Sequence, residues 1–305
     1  MLGFARPASY VPRMVEQNSE NIKSGWRRFI PIKALRDPAP VVSVLRLSGI
    51  IGGRSGPLGG GLTLNGLEKS IESAFAARRV KAVALVINSP GGSPVQSALI
   101  ARRIRALAEE KKIPVLAFTE DVAASGGYWL ACAADEIFAD ENSILGSIGV
   151  ISAGFGFPDV LARLGIERRV YSAGDHKAML DPFQPEEADD IQRLKALQTE
   201  IHDSFKRHVR DRRGDRLTAD DKVLFEGDIW TGGPAKALGL IDDIGDMRSV
   251  LRARYGDRVK CRSFAPKSGG IRRLLGRGAE SAAFDRTMAT VAAIEEWSQW
   301  KRFGL

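Results

Sequence analysis

Two short glycine turns, each lying between an apolar run and a helix signal, constrain this chain more than any other feature. Val80-Lys-Ala-Val-Ala-Leu-Val-Ile87 is β-rich, apolar and long enough for a buried strand. It ends in Asn88-Ser-Pro-Gly-Gly-Ser-Pro94, where Ser93 as cap, Pro94 in the first turn and Gln96 form a capping-box start. A helix is therefore expected over 94–111. A second apolar run, Ile113-Pro-Val-Leu-Ala-Phe118, leads to Val122-Ala-Ala-Ser-Gly-Gly-Tyr128 and a helix-like stretch over 126–133. Strand, tight turn and helix recur, and that repetition predicts a layered α/β core.

Flanking segments extend the pattern. Val41–Leu47 reads as a first strand, and Asn65 with Glu68 as a capping-box-like start for a helix presenting Leu67, Ile71, Ala74 and Phe75. Short strands are expected near 136–139, 148–151 and 167–171, with a helix near 158–164. Pro185 and the acids Glu186, Glu187, Asp189 and Asp190 open a long helix over 185–213, their charges suiting its N-terminal dipole. Its apolar stripe, Ile191, Leu194, Leu197, Ile201 and Phe205, faces the core or another subunit. The helix is long and projecting, which favours subunit packing. Residues 1–40 read as an irregular or helical arm, 41–245 as the core domain and 246–305 as a basic C-terminal extension.

The glycine turns also carry the candidate chemistry. Ser125 would expose its hydroxyl at a helix N-terminus beside free backbone N–H groups, as a nucleophile requires; otherwise it is an N-cap. Gly91 and Gly92 allow bare backbone to approach a ligand, and such N–H groups make an oxyanion hole worth roughly 3–4 kcal/mol per donor. The bland alternative is a plain strand-to-helix turn. Of the three histidines, His202 and His208 fall six residues apart in the long charged helix, on different faces, and are expected to be solvated surface. That leaves His176 or Lys177 as a base for Ser125. A lysine of unperturbed pKa about 10.4 is only roughly 0.1% neutral near pH 7.5. Lowering it to about 7–8 by burial costs on the order of 3–4 kcal/mol. Local sequence does not choose between the two.

Ser-Pro-Gly-Gly (89–92), Ala-Ser-Gly-Gly-Tyr (124–128) and Ser-Ala-Gly-Asp-His-Lys (172–177), in this order and at these separations, resemble the signal peptide peptidase A family. Ser143-Ile-Leu-Gly-Ser-Ile-Gly-Val150 and Asp228-Ile-Trp-Thr-Gly-Gly-Pro-Ala-Lys-Ala-Leu-Gly-Leu-Ile-Asp242 match further motifs, and the likeness spans about residues 40–250. The resemblance implies a ClpP/crotonase-like α/β fold of repeated strand–strand–helix units with a long projecting helix. It implies a serine peptidase with a Ser–Lys dyad, working through an acyl-enzyme. Ser125 would be the nucleophile, Lys177 the general base, and Gly92 with the Gly126 N–H the oxyanion hole. Ser147, otherwise a turn residue, would hold the lysine amine, since a hydroxyl can accept from ammonium and donate to free amine. Signal-peptide remnants or other apolar peptides are the implied substrates, and the Ala-, Gly- and Val-rich surroundings of Ser125 offer few charges to pair with a charged residue. A homo-oligomer is implied too. Two other classes stand beside this one: a crotonase-like acyl-CoA-binding enzyme, and a non-catalytic scaffold.

Composition narrows the rest. With 305 residues, 44% of them hydrophobic, the chain can bury a sizeable core. Cys132 and Cys261 form neither a metal spacing nor a disulfide framework, and no cofactor or metal is expected. Gly52–Gly61 lacks the Gly-Lys-Ser/Thr ending of a phosphate loop and reads as a mobile loop bordering the cleft. Members of the family usually carry an N-terminal membrane anchor, but no run of about 20 apolar residues occurs here, and no secretory signal. The expectation is a cytoplasmic protein. The net charge of +8 concentrates between Arg248 and Arg277, where Ile271, Leu274 and Leu275 make a short basic amphipathic segment. That segment suits peripheral contact with an anionic inner-membrane surface. Nothing points to nucleic acid.

Overall fold

The computed structural model describes residues 38–52 and 61–265, with residues 300 and 303. The N-terminal arm, the glycine-rich loop over 53–60 and the amphipathic segment around Ile271 lie outside the described residues. The chain divides at Ala39/Pro40 into two units, and the architecture below is that of the second.

Its frame is a mixed sheet. β1 (Val41–Ser48) leads to α1 (Leu64–Phe75), β2 (Val80–Ser89), α2 (Pro94–Lys111), β3 (Val115–Ala124) and α3 (Gly126–Ala131). Next come β4 (Glu136–Ala139), β5 (Ile144–Gly146), α4 (Pro158–Arg163), α5 (Ala188–Arg213) and α6 (Asp221–Leu224). β6 (Ile229–Trp230), α7 (Gly232–Ala237), β7 (Asp243–Ile244), α8 (Met247–Tyr255) and β8 (Lys260–Ser263) complete the order. The strands run β6-β5-β3-β2-β1-β8, with β4 also paired to β3 and β7 to β4. Every pairing is parallel except β5 with β6.

The apolar runs are continuous because both faces of the sheet are covered. Leu45, Leu47, Val83, Leu85 and Ile87 pack with Ile71, Ile100, Ile104 and Leu130 of the helices on one face. Val42, Val44, Ala84, Val86, Leu116 and Phe118 pack on the other against Leu251 of α8. Residues 246–263, expected as part of a basic extension, thus supply a core-contacting helix and an edge strand.

β3 forks. Leu116–Thr119 pair with β4, whereas Val122–Ala124 pair with β5. Its register against β2 shifts between Ile87 and Ser89, and the Asn88 side chain fills the gap. Asn88 Oδ1 accepts from Val122 N at 3.2 Å, and its Nδ2 donates to Asp121 Oδ2 at 2.6 Å. The strand therefore bends where it approaches Ser125.

Several boundaries differ from expectation. α1 begins at Leu64, because Thr63 and not Asn65 caps it: Thr63 Oγ1 accepts from Gly66 N at 3.2 Å. The capping box at α2 is half formed. Ser93 Oγ accepts from Gln96 N, but Gln96 Oε1 accepts from Leu64 N at 2.9 Å, tying α2 to α1 instead. The strand expected at 148–151 falls at 144–146, since Ser147 turns left-handed at φ 50°. Residues 167–171 form no strand; they are exposed and have no neighbouring strand to pair with. α5 starts three residues later than expected, and only part of its stripe is covered: Phe205 is buried, while Leu197 is 51% exposed and Ile201 37%.

Candidate active site

Ser125 stands at the corner between β3 and α3, with φ 51° and ψ −121°. A non-glycine residue keeps such a conformation only where its surroundings over-determine it. Its N donates to Gly146 O at 2.8 Å, and its carbonyl accepts from Trp129 N at 3.0 Å. The side chain makes no capping bond, so the simple N-cap reading fails and the hydroxyl is uncommitted among the described residues.

The first glycine turn lies against this corner. Gly91 and Gly92 have φ of 110° and 136°, and a Cβ on Gly91 would come within 2.8 Å of Ser125 Cβ and 2.9 Å of Gly126 N. Gly92 faces Ile51 in a short parallel bridge. A Cβ on Gly126 would lie 2.5 Å from Ser97 Oγ and 3.4 Å from Gly92 N, and one on Gly127 would lie 2.5 Å from Ser89 O. Glycines are thus required here by close backbone approach. The N–H groups of Gly92 and Gly126 find no backbone partner among the described residues. Two unengaged donors beside an uncommitted hydroxyl can stabilise an oxyanion.

Ser147 follows Gly146, the residue that accepts from Ser125 N, and is nearly buried. Its own N donates to Asp228 O at 2.6 Å. Gly91, Gly92, Ser125, Gly126 and Ser147 are therefore brought together through the backbone. Lys177 is not. It is exposed on a turn closed by its N donating to Gly174 O at 3.2 Å, and its side chain bonds to no described residue. His176, beside it, is equally exposed. The surrounding stretch leaves large apolar groups uncovered, among them Phe155 at 83% and Tyr171 at 92%.

The expectation that His202 and His208 are solvated is wrong. Both are half-buried, because this half of α5 lies against α3 and the turn after β5. His202 Nε2 is 3.1 Å from Ile148 O, and His208 Nε2 is 3.0 Å from Trp129 O. The Trp129 ring stacks on Phe205 and on His208, at centroid distances of 4.8 and 4.9 Å. Burial holds the His208 imidazole below its ordinary value. Helical spacing gave a hint at Phe205 alone.

Beneath α3 lies a closed polar cluster. Tyr128 hydroxyl donates to Leu240 O at 2.7 Å, and burial raises its pKa well above the ordinary phenol value. Burial likewise pushes the Cys132 thiol up to about 11, making it a packing group, not a nucleophile. Arg213 pairs with Asp242 at 2.7 Å. Among the described residues no group of His, Cys, Asp and Glu is placed to hold a metal ion. A pocket of about 450 Å³, bordered by Arg46, Phe118, Glu120 and Asp246, includes none of the site residues.

The family model described as Peptidase family S49 matches residues 107–257. A putative protease of Synechocystis is 31% identical over 259 residues, covering 80% of this chain and 89% of that protein. The chain belongs to peptidase family S49. A chloroplastic serine protease SPPA of Arabidopsis thaliana is 33% identical over 224 residues, covering 69% of this chain and 31% of that protein. A Brucella abortus protein named Na(+)/H(+) antiporter NhaA is 50% identical over 289 residues, covering 92% of this chain but 39% of that protein. This chain therefore spans well under half the length of these last two relatives. No helix among its described residues is long and apolar enough to cross a membrane. Among solved structures, a mutant of the 1510-N membrane-bound stomatin-specific protease aligns with a TM-score of 0.48 and 17% identity, covering 75% of this chain and 99% of that one.

Proposed function

We propose that this chain hydrolyses peptide bonds through an acyl-enzyme on Ser125, with Lys177 as general base. The observation that carries the reading is the strained Ser125 corner, its hydroxyl uncommitted and the free Gly92 and Gly126 N–H groups beside it. In the reaction Ser125 Oγ attacks the scissile carbonyl while the neutral lysine amine takes its proton. The tetrahedral oxyanion accepts from Gly92 and Gly126. Lysine returns the proton to the leaving amine, and water activated by the same amine then cleaves the ester. Ser147 holds the amine in place through its hydroxyl. Small or apolar side chains fit this surround best, so remnant signal peptides or other apolar segments are the proposed substrates.

Lys177 does this work only when desolvated. In the single chain it is exposed, and so is the apolar surface around it. A homo-oligomer that covers residues 151–187 and the Leu197–Ile201 face of α5 would bury the segment and bring the lysine into a water-poor site.

A fluorophosphonate probe with a chromogenic peptide ester tests the reading. Ser125→Ala should abolish labelling, and Lys177→Ala should lower turnover by about 10⁴-fold with folding intact. Full activity in Lys177→Ala with loss in His176→Ala would move the base to His176. Coenzyme A affinity without labelling would favour a crotonase-like acyl-CoA enzyme.

A further inference from the structure

Helix α5 donates from a row of side chains to backbone carbonyls around the site. His208 reaches Trp129 O in α3, and Arg212 reaches Cys132 O at 2.8 Å and Ala134 O at 2.9 Å just beyond it. His202 reaches a different piece of chain, the turn Gly146–Ile148. A carbonyl oxygen only accepts, so His202 must carry a proton on Nε2.

That turn is gripped from outside at each of its three residues. Gly146 O accepts from Ser125 N, Ser147 N donates to Asp228 O, and Ile148 O accepts from His202 Nε2. His202 alone among these grips with a side chain. Both non-glycine residues it bears upon are strained: Ser147 has φ 50° and Ser125 has φ 51°. Such conformations relax when one of the contacts that impose them is removed.

We infer that His202 is a positioning residue: through the Ile148 carbonyl it keeps Ser147 left-handed, and through the Gly146–Ser125 bond it fixes the backbone from which the Ser125 hydroxyl projects. The inference rests on the peptidase reading of Ser125. It makes α5 more than a packing helix, since the helix also follows directly on the segment carrying Lys177.

Two variants test it: His202→Phe keeps a ring and loses the donor, and His202→Gln restores an amide donor. Amide hydrogen exchange should quicken in His202→Phe over residues 122–128 and 144–150 and stay unchanged in β2 and the rest of α5. The Phe variant should lose about 10- to 100-fold in kcat with little change in KM, and Gln should recover most of both signals. Wild-type exchange and kcat in His202→Phe would overturn the inference. So would equal loss of protection throughout α5 without recovery in Gln, which marks a packing role. If Ser125→Ala keeps wild-type turnover, the peptidase reading fails, and the exchange comparison still decides whether His202 holds the turn.

Discussion

Replacing Gly92 with alanine tests the turn and the proposed oxyanion donor together. A Cβ there would lie 2.1 Å from Ile51 O and 2.9 Å from Ile51 C and N, on a residue whose φ is 136°. All three are backbone atoms, so the methyl fits only if residue 51 and the turn separate. Separation breaks the bonds from Ile51 N to Gly91 O and from Ser93 N to Ile51 O, each 2.7 Å. Two hydrogen bonds at about 1 kcal/mol each, with about 1–3 kcal/mol for a side chain in this φ region, come to about 3–5 kcal/mol. For a domain of this size the melting temperature should fall by roughly 6–20 °C. The displaced turn also carries the Gly92 N–H away from Gly126, which should lower kcat by roughly 10²- to 10³-fold well below the melting transition. Thermal scans, peptide turnover and fluorophosphonate labelling read the two effects separately. Gly233→Ala is the control, because a Cβ there meets nothing within 4 Å. A Gly92→Ala protein with wild-type turnover and melting temperature refutes the whole argument. Lowered melting with wild-type turnover would keep the steric argument and retire Gly92 as a donor.

Three further outcomes are expected. Burial holds His208 below its ordinary pKa, so on acidification the unfolded chain takes the proton first; stability is full above about pH 6.5 and falls as pH drops toward the depressed folded value. His208→Phe, which keeps the stack on Trp129, should flatten that part of the melting-temperature profile, and an equally steep profile would count against it. Burial would raise the Asp242 carboxyl, but the Arg213 hydrogen bond and charge outweigh it and hold the pKa low, so its contribution is present above about pH 3.9 and lost as pH falls through the folded value. Asp242→Asn strands Arg213, which is 3% exposed, and should cost about 3–5 kcal/mol in urea unfolding; a loss under about 1 kcal/mol contradicts this. The proposed oligomer should appear by light scattering at micromolar concentration and dissociate in a Leu197→Asp, Ile201→Asp double variant, and a monomeric, fully active wild type would rule it out.

What the sequence revealed and what it hid follow from where each residue's partner lies. Val80–Ile87 announced a buried strand because its partners on both faces are apolar, and the run itself carries that information. Gly91 and Gly92 announced a special turn because positive φ and close approach leave no other residue, although the atoms they spare belong to Ile51 and Ser125. Residues 167–171 carry strand propensity, but a strand exists only through a ladder, and no neighbour supplies one. Helix periodicity reports only which face a residue shares, so it makes His202 and His208 look solvated. Their acceptors lie 54 and 79 positions away in the chain, on carbonyls that any residue type would present. Main-chain acceptors leave no mark in side-chain pattern, and so the grip on the Ser147 turn is invisible in a sequence that displays the Ser125 corner openly. Lys177 is the converse case. Its motif is legible in six residues, yet its side chain is exposed and bonds to no described residue, so the pattern that names it carries no contact that would bring it to Ser125.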